Sequence, residues 1–499
     1  MNTTANLKLE PTGPATADLS FDDDTAPIRV VANAAIRESL EPICLQQAVN
    51  ARRAPGVTDV VVNPDAHMGF GAPTGSVMVS PTHIYPGPVG VDIKCSMSLI
   101  QFDVPAAELD DDAARRRLLA AVARRVPTGG SERKGKKHRR RYEKKLAEKI
   151  VIEGASADVL DQLGVPIEWR TRCEDASHVG HDGTTAALGD RLDRLRHERR
   201  LTKLCERLEQ LGSLGGGNHF GECEVVRIGA SDAARRVAAA FRLNDDCAAF
   251  LSHCGSRGFG FQLATGQFQS LQNKFSDWRI PYPGGDRELV YAPVGSLEAN
   301  AYLDDMGLAG NFASINHLLI NAAVADAFRE VFPGASGQLV YFLSHNIVRR
   351  ETVGERECWV HRKGATRAYP AGHPSLAETP FAECGHPILL PGNPRDGSVV
   401  MVAEDGAADN CFSVNHGAGR RLSRKRAKVE LRQREIDSEL ASHDVLTNCR
   451  NFPVDDAPAA YKNFTDVVDS VVAANLASEV ARLEAKFVLK DGGATRRTP

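Results

Sequence analysis

The sequence predicts one large α+β domain in which mixed sheets and helices follow one another without a regular order. Three observations carry that prediction. Apolar β-branched runs such as Val60-Val61-Val62 are interspersed with helix-period segments, without the strict alternation of a doubly wound sheet. No Pro- or Gly-rich linker divides the middle of the chain, and no repeat of about 20–50 residues recurs. The 499 residues are 42% hydrophobic and 25% charged, the balance of a globular protein with a sizeable core.

Residues 1–27 are rich in Thr, Ala, Pro and Asp and read as a flexible leader, which leaves residues 28–499 for the domain. Val60-Val61-Val62 reads as a buried strand that delivers Pro64-Asp65-Ala66-His67 just past its end. Residues 107–126 have helical period, with Pro127 as a stop. Residues 131–149 form a strongly basic insertion, read either as a solvated segment or as a contact for a phosphate backbone. A charged amphipathic helix is expected over 191–211, ending at Gly212, and a mostly buried helix over 311–332. Further helices are expected over 421–442 and 465–487.

Charge and cysteine usage narrow the class. Lys plus Arg total 61 against 64 for Asp plus Glu, so any nucleic-acid binding must come from local patches. No secretory signal opens the chain, and no stretch of about 18 apolar residues offers a membrane span. The 11 cysteines are scattered without a Cys-x-x-Cys pair, which reads as reduced thiols in a cytoplasmic protein.

Five short loops place a His or Cys beside Gly, Asn or Ser: 90–95, 215–219, 252–258, 344–346 and 415–417. Asp92 offers a hard oxygen, Cys95 a soft thiolate able to bridge two cations, and His219, His253 and His345 add imidazoles. That mixture suits Mn²⁺ or Zn²⁺ better than Ca²⁺. The close pair His178 and His181 lies among Ser, Gly and Asp and reads as surface loop. The glycines of 212–217 lack the Gly-Lys-Ser/Thr ending of a phosphate loop.

His416-Gly417-Ala418-Gly419-Arg420 has the makings of a covalent nucleophile. A neutral imidazole can attack a nucleotide α-phosphate and form a labile N–P bond. Gly417 and Gly419 leave room for the phosphate, and Arg420, Arg424 and Arg257 offer planar donors to its oxygens. The cations of 361–367, beside Gly364, read as a further anion-binding run.

These motifs together resemble the RtcB family of RNA-splicing ligases. The resemblance runs through Pro64-Asp65-Ala66-His67-Met68-Gly69-Phe70-Gly71, Gly90 to Cys95, Gly217 to Glu222, Ser252 to Gly258 and Ser344-His345-Asn346. It continues through His361 to Ala368, His416 to Arg424 and Asp456 to Lys462, in the family's order and over nearly the whole chain. It implies a GTP- and Mn²⁺-dependent ligase joining an RNA 3′-phosphate or 2′,3′-cyclic phosphate to a 5′-hydroxyl, in tRNA splicing or RNA repair. By the same resemblance, Asp92, Cys95, His219, His253 and His345 hold two Mn²⁺ ions, and His416 becomes guanylated. Asn218, Glu222, Ser398, Tyr461 and Lys490 then bind the guanosine nucleotide, and Arg257, Arg420 and Arg424 handle RNA phosphates. An activating partner such as archease belongs to the same expectation.

The chain departs from the family's pattern in three places. The Pro-Gly-Ser-Met-Gly-Thr loop becomes Pro391-Gly392-Asn393-Pro394-Arg395-Asp396-Gly397, which loses a serine and gains charge. Asp-Ile-Asn-Cys-Gly becomes Asp92-Ile93-Lys94-Cys95-Ser96, and His-Ser-Gly becomes His253-Cys254-Gly255. Two rival readings are a two-metal phosphodiesterase or phosphatase without a covalent histidine, and a non-catalytic RNA-binding paralogue.

Overall fold

The computed structural model describes residues 7–22, 25–129, 142–201 and 203–492. Its architecture is α+β, as the sequence predicts, and is built on two large sheets. The first has seven strands in the order Lys8–Gly13, Thr16–Ser20, Ile28–Val31, Asp59–His67, Thr74–Ser80, Arg356–Lys363, Asn346–Val353. Only the pairing of Ile28–Val31 with Asp59–His67 is parallel. Both of its faces are apolar. Val60, Val62 and Met78 face the helix Pro42–Arg52, while Val61, Val77, Val79 and Val360 face the other way.

The second sheet is antiparallel along the path Gly337–Ser344, Ser96–Pro105, Cys247–Cys254, Phe220–Ile228, Ala477–Leu489, Gly397–Ala403, Pro387–Asn393. Alternation along Ser96–Pro105 sends Ile100, Phe102 and Val104 into a helical core and Met97 and Leu99 to the opposite face. The helical side is dominated by Leu297–Val331, a helix of 35 residues capped by the Ser296 side chain, which accepts from the Ala299 N–H. It is buried on almost every side, packed against Arg257–Trp278, Asp112–Arg125, Lys144–Glu153 and Thr185–His197. Phe328 stacks on Phe102 with ring centroids 3.7 Å apart and so ties this helix to the sheet.

A short pair, Ala365–Arg367 with Ser413–Asn415, links the two sheets. It is anchored by Arg362, whose buried guanidinium grips Glu351 through both carboxylate oxygens at 2.6 and 2.7 Å. The same guanidinium donates to the Ser413 hydroxyl at 2.9 Å and the Cys411 carbonyl at 3.2 Å, which fixes the segment leading to His416. No described helix is long and apolar enough to cross a membrane, and all eleven cysteines are free.

Several expectations from the sequence are corrected. The leader expected over 1–27 contains a hairpin, Lys8–Gly13 with Thr16–Ser20, because Ala17 and Leu19 alternate with polar residues and are fully buried. The helix expected over 465–487 stops at Ala473, where Asn475 turns the chain with φ 53°, and a strand, Ala477–Leu489, follows. Ala481, Leu483, Ala485 and Phe487 alternate there with Arg482, Glu484 and Lys486, a two-residue period masked by good helix formers. The helix expected over 191–211 is two, Thr185–His197 and Leu204–Leu208, separated by left-handed Arg199 and Lys203. The strand over Val60-Val61-Val62 continues through His67 rather than ending before Pro64. Of the basic insertion, residues 131–141 lie outside the described residues, and Lys144–Glu153 is a helix.

Removing one partner from a buried bidentate ion pair strands the other charge, at about 3–5 kcal/mol. Arg362→Ala is therefore expected to lower the urea midpoint by that much stability, and Arg362→Met with Glu351→Leu to recover most of it. A loss below about 1 kcal/mol in the single variant would show that the pair does not anchor the linker.

Candidate active site

Five polar side chains converge at one end of the antiparallel sheet. Asp92 and Cys95 stand in the turn before Ser96–Pro105, His219 just before Phe220–Ile228, His253 within Cys247–Cys254, and His345 just after Gly337–Ser344. Register brings them together, since His253 pairs with Met97 on one side and Phe220 on the other, while Ser344 pairs with Ser96. Cys95 Sγ lies 3.1 Å from His253 Nε2 and 3.5 Å from His219 Nε2. His219 Nε2 is 2.8 Å from Asp92 Oδ2, and the Nε2 atoms of His253 and His345 are 3.3 Å apart. Two triads result, Asp92/Cys95/His219 and Cys95/His253/His345, each with its donor atoms within 4.8 Å and with the Cys95 sulfur in common.

The donor chemistry fits a pair of cations. His219 Nδ1 is 3.0 Å from the Leu214 carbonyl, which can only accept, so the ring proton sits on Nδ1. Nε2 then turns its lone pair toward the Asp92 carboxylate and the thiol, an arrangement that a shared cation satisfies. His345 Nδ1 is buried without a hydrogen-bond partner. Burial, reinforced by neighbouring imidazoles, holds His253 and His345 well below the usual histidine value and so in the neutral, ligating form. Burial and the Asp92 carboxylate push the Cys95 thiol well up, so a bound metal has to expel its proton.

His416 arrives from the linker between the sheets. The strand Ser413–Asn415 pairs with Ala365–Arg367 and ends immediately before it. His416 Nδ1 is 2.7 Å from Asp65 Oδ2 and 2.9 Å from the Gly364 carbonyl. Both partners accept, so Nδ1 carries the proton and the lone pair resides on Nε2. The approach is close on both sides. A Cβ on Gly364, which has φ 61°, would sit 2.9 Å from the His416 ring, and one on Gly419 would meet the Asp65 carbonyl oxygen at 2.1 Å. The His416 ring centroid is 4.6 Å from that of His345, against the metal-type cluster.

Asp92, Cys95, His253, His345 and His416 line a cavity of about 300 Å³ that also reaches His67, Asn218, Lys363, Arg420 and Arg424. It adjoins a narrower recess through Phe220, Pro391, Gly392 and Tyr461. Glu222, Asn393, Ser398, Asp456 and Lys490 line that recess. Asp456 is its hub, 3.3 Å from Arg420, 3.2 Å from Arg424, 3.1 Å from Lys490 and 3.3 Å from the Tyr461 hydroxyl. Glu222 is buried with Oε1 unpartnered, and burial pushes its carboxyl up to about 8 against the pull of Lys490. The charges gained by the 391–397 loop are absorbed internally. Arg395 pairs with Asp396 at 2.7 Å and Glu439 at 3.0 Å, and Asn393 donates to Asp396 at 2.7 Å.

The structure thus gathers Asp92, Cys95, His219, His253, His345, His416, Asn218, Glu222, Ser398, Tyr461, Lys490, Arg420 and Arg424 around one cavity and recess. Arg257 stands behind the wall, its guanidinium against Gly215 and 3.4 Å from the Ser213 hydroxyl, and does not line the cavity. The cations of 361–367 are corrected from an anion-binding run to a buried ion-pair strand. Arg362 is spent on Glu351 and Arg367 on Glu174 and Asp175, and only Lys363 reaches the cavity. The pair His178 and His181 divides: His181 stands in an exposed turn, as expected, whereas His178 is buried. His178 is 1% exposed beside Arg349, and His181 Nδ1 lies 2.9 Å from the buried Asp304 carboxylate.

Comparison with known proteins settles the family. The family model described as tRNA-splicing ligase RtcB matches residues 47–491. The chain belongs to the RtcB family of RNA ligases. A tRNA-splicing ligase RtcB of Thermococcus kodakarensis is 32% identical over 462 residues, 89% of this chain and 90% of that protein. One from Archaeoglobus fulgidus is 31% identical over 473 residues, 91% and 92% of the two chains. An RNA-splicing ligase RtcB of Mycobacterium bovis is 32% identical over 451 residues, 88% and 98% respectively. Within this RtcB chain, reasoning from the sequence left Asp65 and Asp456 without a role. Both sit inside motifs already singled out, and a carboxylate two residues from His67 was the available signal for Asp65.

The shared sulfur makes a sharp prediction for this RtcB protein. Elemental analysis after equilibration with Mn²⁺ should give about two metals per chain in wild type, as the two triads imply. His219→Ala should retain about one, and Cys95→Ala far less than one. Equal losses in the two variants would contradict the shared-sulfur arrangement.

Proposed function

We propose that this RNA ligase is GTP- and Mn²⁺-dependent and joins an RNA 3′-phosphate or 2′,3′-cyclic phosphate to a 5′-hydroxyl through a guanylate carried on His416 Nε2. The observation that carries the reading is the placement of His416. Its Nδ1–H is held between the Asp65 carboxylate and the Gly364 carbonyl, and its ring abuts the two triads.

Asp92, Cys95 and His219 would hold one Mn²⁺, and Cys95, His253 and His345 the other, supplying Lewis-acid stabilisation of phosphate oxygens. The chain's own residues do the rest. The recess receives guanosine, where the orphaned Glu222 oxygen accepts from the base N–H edge. Asn218, Ser398, Tyr461 and Lys490 line its path, and Arg420 and Arg424 face the phosphates across the cavity. His416 Nε2 attacks the GTP α-phosphorus and pyrophosphate leaves. The RNA 3′-phosphate then takes GMP from His416, and the 5′-hydroxyl displaces GMP to seal the strand. As His416 becomes cationic during attack, Asp65 stabilises the charge without changing place. In this reading the substrates are broken RNA ends of the kind left by splicing or damage.

Labelled GTP with Mn²⁺ should leave an acid-labile GMP on wild-type protein and none on His416→Ala. Asp65→Asn should keep the fold and slow adduct formation by roughly 10²-fold or more. An adduct that persists in His416→Ala would place the nucleophile elsewhere. Because burial raises Glu222 to about 8, guanine binding requires it to lose a proton below that pH. GTP affinity should therefore rise with pH from 6 to 8 by up to about tenfold per unit and then level. Calorimetry in buffers of different ionisation enthalpy should register the released proton, and Glu222→Gln should abolish the dependence.

A further inference from the structure

Resting on the ligase reading above, one imidazole in the cavity remains without a role. His67 ends the strand Asp59–His67, two residues after Asp65, and both reach the surroundings of His416. Asp65 is spent on His416, while His67 lines the cavity itself. His67 Nδ1 lies 3.0 Å from the Asp65 carbonyl, which can only accept, so Nδ1 carries the proton and Nε2 a free lone pair. The segment is held rigidly, because the Lys462 ammonium donates to both the Pro64 and Ala66 carbonyls at 2.9 and 2.7 Å. The other cavity imidazoles are committed. Those of His253 and His345 point into the cluster, and His416 is the group that hands over GMP.

Sealing leaves one proton to be accounted for. Phosphoryl transfer runs with the attacking and leaving oxygens roughly in line. The proton acceptor therefore has to sit away from the recess into which GMP withdraws, and His67 lines the cavity but not the recess. We propose that His67 Nε2 is the general base of the sealing step. The 5′-hydroxyl oxygen forms the new O–P bond as its proton passes to His67 Nε2. The bond from that phosphorus to the bridging oxygen breaks, and GMP leaves with the oxygen and the electron pair. Burial keeps the ring neutral before substrate binds, pulling it down to about 4 with His416 and Lys462 adding to the pull and Asp65 opposing it. Phosphates entering the cavity offset that pull and stabilise the imidazolium as it forms.

The test follows three species with full-length protein, GTP, Mn²⁺ and a pair of RNAs ending in 3′-phosphate and 5′-hydroxyl. These are the protein guanylate, the RNA carrying GMP on its 3′-phosphate, and the sealed product. His67→Ala and His67→Gln are compared with wild type; the Gln side chain fills the space of the ring but offers no base. Both should form protein guanylate normally, accumulate the guanylated RNA and seal it about 10²–10⁴-fold more slowly. Added imidazole should restore part of the sealing by His67→Ala and none by His67→Gln, in which the side chain fills the space. Unchanged sealing would overturn the assignment, as would protein guanylation lost in parallel with sealing at an unchanged melting temperature. Wild-type protein that makes neither guanylate nor sealed RNA would overturn the ligase reading, and this assignment with it.

Discussion

The hydrogen bond from His416 Nδ1 to the Asp65 carboxylate, 2.7 Å long, is the constraint on which the rest of the site depends. It joins the two halves of the molecule. Asp65 belongs to the seven-stranded sheet, whereas the triads grow from the end of the antiparallel one. The short pair Ala365–Arg367 with Ser413–Asn415 carries His416 across the gap between them. Gly364 and Gly419 allow the backbones to close around the ring, since a side chain at either would collide with His416 or with the Asp65 carbonyl. A ring fixed in this way has little orientational freedom left to lose.

The charges around it share one partner. Arg420, Arg424 and Lys490 are all tethered by Asp456. The tether offsets the cost of burying them. Glu222 answers them from the facing strand with an unsatisfied oxygen. The unusual 391–397 loop fits this economy. Its added Arg395 and Asp396 neutralise one another and leave Asn393, rather than a charge, on the recess wall.

Much of the site was legible from the sequence because catalytic chemistry demands particular residue types beside glycines. The convergence of Asp92, Cys95, His219, His253 and His345, with His416 beside them, was foreshadowed by the glycine-bordered loops and by the family resemblance. Less legible were groups whose role depends on tertiary partners. The cations at 362 and 367 look like phosphate binders until Glu351, Glu174 and Asp175, far away in sequence, pair with them. Arg257 looks the same from its neighbours, yet the helix it opens turns it behind the wall. The strand Ala477–Leu489 was hidden because Ala, Glu, Lys and Leu favour helix locally, while its place between two strands of the sheet overrides that preference. The hairpin at 8–20 was hidden by a composition typical of loose termini, although Ala17 and Leu19 carried the alternation.

Asp65 and Gly364 set the tautomer of His416, and in the proposed reaction phosphorus therefore bonds to Nε2. The direct measurement is nuclear magnetic resonance of the guanylated protein carrying ¹⁵N-labelled histidine, with ³¹P coupling used to identify the substituted ring nitrogen. Coupling is expected to His416 Nε2 alone, with the Nδ1 proton shifted as for a hydrogen bond to a carboxylate. Phosphorus on Nδ1, or on another histidine, would contradict it.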